Sequence, residues 1–202
     1  MSAFLGPIHH WMYNKIQIQQ DIVDEAVKIS KGDIPDLEKE LEKAFGPAER
    51  RNLADAIDHT NIHGWLQDQV SRVENKLAYT AKKLENLDPS YREQLRGIFR
   101  RKGRELSPKL AGASAKEAYK LMFDSLLDGM PCDHASSILE EGEDRMVWKR
   151  NACVHAPYWE ANQADIAGYY EMRDSFMEGL ITDTGFVYKK LDDVTASLSK
   201  EV

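Results

Sequence analysis

Cysteine is scarce in this chain: Cys132 and Cys153 are the only two among 202 residues. That excludes the disulfide framework that holds small secreted domains together, and free thiols in a reducing compartment are the expectation. Long apolar runs are missing too. Charged residues make up 30% of positions, and no stretch approaches the roughly eighteen apolar residues that a membrane-spanning helix needs. The start, Met1 to Pro7, has no basic segment followed by an apolar one, which argues against a secretory signal and for a cytoplasmic protein. Net positive charge is absent, since 34 acidic against 27 basic residues leave −7. General nucleic-acid binding is therefore disfavoured. The chain also lacks a Gly-rich phosphate loop, a Gly-x-Ser-x-Gly elbow and a Cys-x-x-Cys pair, so nucleotide-binding, serine-hydrolase and thioredoxin-like readings lose their usual support.

What is present reads as one domain over 1–202, with 42% hydrophobic residues to fill a core. Helical periodicity covers 8–30, with Ile8, Met12, Ile16, Val23 and Val27 on one stripe and Trp11, Ile18, Ile22 and Ile29 on another. A short helix follows at 35–45. A long one is expected from Pro47 to the Asp88-Pro89 stop, with a kink or restart near His59-Thr60-Asn61. A basic helix spans 90–101, and Ser114-Ala115-Lys116-Glu117 forms a capping box that opens another helix, ending at Gly129. Ser136 to Leu139 and Arg145 to Arg150 flank an acidic Gly turn and read as a β-hairpin, its second strand running on through Cys153-Val154-His155. A helix at 165–179, a third strand at 185–188 and a frayed polar tail over 192–202 complete the chain. The fold class is α+β, mainly helical: a helical part over 7–130, then a hairpin-plus-helix part over 131–190 with a small antiparallel sheet.

A fragment occurs twice: Ile8-His9-His10-Trp11-Met12 returns as Ile62-His63-Gly64-Trp65-Leu66. Two helices that open alike are expected to present similar surfaces to a common core. On the long helix, Asp55, His59 and His63 fall at four-residue intervals and would share one face, where imidazole and carboxylate suit a divalent Zn, Fe, Mn or Ni ion. If the paired helices run parallel, His9 could join them. The competing reading pairs Asp55 with His59 by a hydrogen bond and leaves the other histidines at a wet helix end. No Glu follows His59, which removes the zinc-protease pattern.

Cys132, His134, Cys153 and His155 form two Cys-x-His pairs, open to reading as a zinc site, as a Cys153 nucleophile with His155 as base, or as ordinary packing. The aromatics Trp11, Trp65, Trp148 and Tyr169 could line a pocket for a flat ligand or simply fill the core. From Tyr91 to Lys109 seven basic residues stand against two acidic ones, either a solvated face or a site for an acidic partner.

In the C-terminal third, a Tyr119-containing helix leads to Gly129-Met130-Pro131-Cys132. Val147-Trp148-Lys149-Arg150, Cys153, Trp159, the run from Tyr170 to Asp174 and Phe176-Met177-Glu178-Gly179-Leu180 follow. Over Ser114 to Tyr188 this order resembles the L-2-amino-thiazoline-4-carboxylate hydrolase family. The resemblance implies ring-opening hydrolysis of a small cyclic amidine, with Cys153 matching the cysteine after the strand. Tyr169-Tyr170 stands where a second cysteine is expected. The chain is thus expected to bind a small molecule or metal in a His/Asp/aromatic pocket. The alternatives are a hydrolase of a heterocyclic amidine and a non-catalytic helical homodimer that uses the second stripe of the first helix.

Overall fold

A computed structural model describes residues 5–201; residues 1–4, read above for a leader, lie outside it. The fold is mainly helical α+β. In chain order it comprises α1 (Pro7–Ser30), α2 (Leu37–Phe45), α3 (Leu53–Ala56), α4 (Ile62–Leu87), α5 (Tyr91–Leu106), α6 (Ala115–Ser125), β1 (Ser136–Glu141), β2 (Arg145–Arg150), α7 (Ala156–Ala161), α8 (Ile166–Leu180), β3 (Phe186–Lys190) and β4 (Thr195–Lys200). Among the described residues, no helix is long and apolar enough to cross a membrane.

The repeated Ile-His-x-Trp fragment opens α1 and α4, and the two helices lie side by side in the register of that repeat. His9 meets His63, and Tyr13 packs on Trp65 with ring centroids 5.9 Å apart. The long helix expected from Pro47 breaks where Asn61 caps α4, its side chain accepting the Gly64 N–H at 3.1 Å. An Asn-capped start satisfies a helix N–H that a continuous helix would bond to its own backbone. Ile8, assigned inward above, is 52% exposed. Most of the second stripe of α1 is covered by this chain itself: Ile22 is buried, Trp11 packs against Phe123 of α6 and Ile29 packs on the core, while Ile18 is half-buried. The homodimer reading loses that premise.

The basic helix α5 spends its charge within the molecule. Arg92 pairs with Glu171, Arg100 with Glu178, and Arg101 and Lys102 with Glu25, all at 2.8–3.0 Å. Each half-exposed pair is worth under about 1 kcal/mol, but the Arg92 and Arg100 pairs align α5 along α8 in parallel, and the Glu25 pairs tie it to α1. Glycine lets the two backbones touch. A Cβ on Gly103 would lie 2.0 Å from the Phe176 carbonyl oxygen, and one on Gly179 2.0 Å from that of Arg100. Gly103→Ala and Gly179→Ala are each expected to cost about 2–3 kcal/mol in urea unfolding by forcing the helices apart. The double variant should cost less than the sum, because both widen one crossing. Losses below about 0.5 kcal/mol would mean that the helices separate freely.

The sheet has the order β1-β2-β4-β3, antiparallel throughout. Two expectations fail here. The second strand ends at Arg150 instead of continuing to His155, and the tail read as frayed forms β4, which lies between β2 and β3. The reason is a duplication. Tyr119, Met122, Asp124, Ser125 and Gly129 recur fifty positions on as Tyr169, Met172, Asp174, Ser175 and Gly179, and each copy is a helix followed by a hairpin. Ser136 faces Arg150 as Phe186 faces Lys200, and Ile138 faces Trp148 as Tyr188 faces Leu198. A local twofold axis passes between Val147 and Ser197, which stand opposite each other. The copies then diverge at one place. Leu126 adopts extended dihedrals and ends α6 early, whereas α8 continues to Leu180. Asp128 leaves the helix path as a result, while its counterpart Glu178 stays on α8 and pairs with Arg100.

Candidate functional site

A cavity of about 90 Å³ lies between α6, α8 and the face of the sheet, near the local twofold axis. Asp128, His155 and Arg173 line its floor and Glu74 lies beneath them, a chain of charged groups from four segments. His155, at the start of α7, is 2% exposed, and Glu74 of α4 is 1% exposed. His155 Nδ1 lies 3.1 Å from Glu74 Oε1, and Nε2 lies 3.1 Å from the Tyr169 hydroxyl and 3.5 Å from Asp128 Oδ1. Arg173 of α8 grips Asp128 with two bonds of 2.6 and 2.8 Å. Positive and negative groups alternate along this line in the order Glu74, His155, Asp128, Arg173, so each charge faces opposite ones.

Burial would pull the His155 proton off, but Glu74 and Asp128 outweigh it and raise its pKa to about 9. An imidazolium donates from both ring nitrogens, which matches acceptors on both sides. Burial pushes Asp128 up, yet Arg173 and His155 hold it well below the usual carboxylate range. Tyr169 is raised strongly, by desolvation above all. Two atoms in this region, Glu74 Oε2 and Trp159 Nε1, are buried without a hydrogen-bond partner among the described residues.

The walls are aromatic. Trp148 of β2 lies between Tyr119, 5.1 Å away, and Tyr188, 6.2 Å away and stacked. Tyr188 donates to Asp174 at 2.8 Å, and Lys190 pairs with the same carboxylate. Arg150 sits over Tyr170, 3.9 Å from ring centroid to guanidinium carbon, and donates to the Asp193 carbonyl at 3.0 Å. Among the described residues it has no carboxylate partner, so one edge of the guanidinium is available to a ligand. Behind Tyr170 lies Cys153, whose Sγ accepts the tyrosine hydroxyl at 3.1 Å. Burial opposes ionisation of this thiol, but that hydroxyl and the backbone N–H groups of His155 and Ala156 more than offset it, so its pKa is lowered.

The residues singled out from sequence scatter across the fold. Trp148 and His155 line the cavity, Cys153 reaches it only through Tyr170, and Tyr169 lies beneath the floor. Trp11 instead donates to Asp124 at 2.9 Å and holds the Lys15 amine 3.8 Å above its ring, while Trp65 packs on Tyr13 near the start of α1. The proposed metal group does not assemble. Asp55 sits exposed on α3, and His59 sits exposed in the turn after it, Nε2 donating to the Ala54 carbonyl. The break before α4 removes the single helix face on which the spacing argument rested.

His9 and His63 do meet, Nε2 to Nε2 at 3.3 Å. However, Gly6 N–H donates to His9 Nδ1 at 2.9 Å. The proton of the neutral ring is thereby placed on Nε2, which then donates to His63 and has no lone pair for an ion. Cys132 is exposed in a short 3-10 turn, and both cysteines are free. Among the described residues, no group of three or more His, Cys, Asp or Glu side chains is placed to hold a metal.

Sequence reasoning missed Glu74, Asp128, Arg150, Tyr170 and Arg173. For Glu74, and for the buried Lys15 outside this site, the sequence carries a signal. Glu74 stands one turn after Val70 on the buried stripe of α4, and Lys15 stands one turn after Trp11 on the second stripe of α1. An ionisable side chain on an apolar stripe calls for a buried partner. Comparison with protein-family models, curated protein sequences and solved structures finds no match to this chain.

Proposed function

We propose that the chain binds a small planar molecule bearing an acidic group, held in the cavity between α6, α8 and β2–β4. The ring lies against Trp148 and Tyr188, and the acid meets the open edge of Arg150. The observation that carries this reading is the Arg150 guanidinium, set over Tyr170 at the cavity wall with no carboxylate partner among the described residues, whereas Arg173 and Lys190 are already paired. Benzoate and its neutral analogue benzamide test it by calorimetry. Arg150→Ala is expected to weaken benzoate by about 10- to 100-fold, the worth of a charge-assisted pair, and to leave benzamide unchanged. Equal effects on both ligands, or no benzoate binding to the unmodified chain, would remove the reading.

A second reading, hydrolysis of a small cyclic amidine as in the family the C-terminal third resembles, is favoured by the state of Cys153. Its thiol accepts the Tyr170 hydroxyl and has a lowered pKa, two residues before His155. Iodoacetamide should label Cys153 faster than a free model thiol at pH 7, and Tyr170→Phe should slow it. A Cys153 that reacts no faster than the model thiol speaks against a nucleophile.

A further inference from the structure

Cys153 sits behind the cavity wall and is joined to it through one side chain. Ala152 and Val154 on either side of it line the cavity, whereas Cys153 itself is half-buried and meets Tyr170 instead. The Tyr170 hydroxyl donates to Sγ at 3.1 Å, and the Arg150 guanidinium carbon lies 3.9 Å from the centre of the same ring. One tyrosine therefore touches the thiol with its hydroxyl and the unpaired guanidinium with its ring.

That arrangement transmits charge. A cation over the ring makes the phenol hydroxyl a stronger donor, and Arg150 does favour release of the Tyr170 proton, against burial and the thiol. A stronger donor in turn favours the thiolate. The other partners of the thiol are the backbone N–H groups of His155 and Ala156, and the His155 imidazolium adds its charge. That imidazolium is already paired with Glu74 and Asp128, and Arg173, which also acts on Tyr170, is paired with Asp128. Arg150 is the cation of this set with no carboxylate of its own among the described residues, so an anion on its open edge changes the balance.

We infer that Arg150, Tyr170 and Cys153 form a relay through which an acid bound in the cavity lowers the reactivity of the Cys153 thiol. The inference rests on the reading of Arg150 as the acid-binding group. It sets the two candidate chemistries of the cavity against each other, because a bound acid holds the thiol back. By linkage the coupling runs both ways, and ionising the thiol weakens the acid.

Iodoacetamide alkylation of the full chain, with Cys132→Ser removing the exposed thiol, reads the relay. Saturating benzoate is expected to slow Cys153 by roughly two- to fivefold at pH 7, the size of one screened charge contact. It should also move the midpoint of the rate against pH upward, and benzamide at the same concentration should do neither. Arg150→Met, and Tyr170→Phe, which keeps the ring and loses the donor, should each remove the benzoate effect. Calorimetry on the same chain separates the two claims. Benzoate that binds without slowing Cys153 overturns the relay and leaves the acid site standing, whereas a chain that binds no benzoate loses both. Equal slowing by benzoate and benzamide, which is simple shielding, or a benzoate effect that survives Tyr170→Phe, also overturns the relay.

Discussion

Deleting the chain from Thr195 onward is expected to abolish its cooperative unfolding transition. β4 is paired on both sides: Thr195 to Ser199 face β2, and Ala196 to Lys200 face β3. Removing it discards the fully buried Leu198, worth about 2–3 kcal/mol, and a two-sided ladder whose bonds each contribute about 1 kcal/mol net. It also exposes β2 and β3 as two new unpaired edges. The total is on the order of 10 kcal/mol, as large as the whole stability of an ordinary domain. Thermal melting followed by near-ultraviolet circular dichroism reads the result directly. A truncated chain that keeps its aromatic signal and melts within a few degrees of the intact one would show that β4 is dispensable. Leu198→Asp, which buries one carboxylate among apolar neighbours, should give a smaller loss in the same direction.

This strand is also where the sequence was hardest to read. Thr195-Ala196-Ser197-Leu198-Ser199 alternates, but Leu198 is its only large apolar residue and the intervening Thr195 and Ser197 are polar although buried, so the period-2 signal has little amplitude. It becomes legible through its partner copy. Once Tyr119 to Gly129 is laid on Tyr169 to Gly179, a hairpin after the first helix predicts a hairpin after the second. The shorter Ile-His-x-Trp repeat is also real in space: α1 and α4 lie together with His9 on His63. Strong local signals were read correctly, among them the Ser114 capping box, with Glu117 accepting the Ser114 N–H at 2.8 Å, and the hairpin around Gly142.

The candidate site was less legible because its members are held by tertiary geometry. Glu74, Asp128, His155 and Arg173 come from four separate segments, and nothing in their spacing announces that they meet. Asp128 is the clearest case. A helix continued to Gly129 would carry it outward as Glu178 is carried, and the early end of α6 at Ser125 turns it toward Arg173 instead. The error over Asp55, His59 and His63 has the same origin in reverse. A helical periodicity assigned across the Asn61 cap created a shared face that the backbone never forms.

Arg173→Met is expected to cost about 3 kcal/mol, because it leaves Asp128 desolvated with only the weaker His155 contact at 3.5 Å. Adding Asp128→Asn should recover part of the loss, since the stranded charge goes with it. The intact network also sets the response to pH. His155 titrates at an ordinary 6.5 when unfolded and at about 9 when folded, so the native state holds this proton more tightly. Its contribution is complete below about pH 6.5 and is lost as the pH rises through about 9. Asp128 works on the other limb: with its folded pKa depressed below 3.8, its contribution is present above that pH and is lost in stronger acid. Lys15, lowered from 10.5 to about 8 by burial, opposes His155 by adding stability as the pH rises from about 8 to 10.5. Urea unfolding in a Lys15→Met background therefore isolates the histidine. Stability there should fall steadily between pH 6.5 and 9, and His155→Gln should flatten the profile. A Lys15→Met chain equally stable at both pH values, together with an Arg173→Met loss under about 1 kcal/mol, would mean that these four groups do not hold one another's charge.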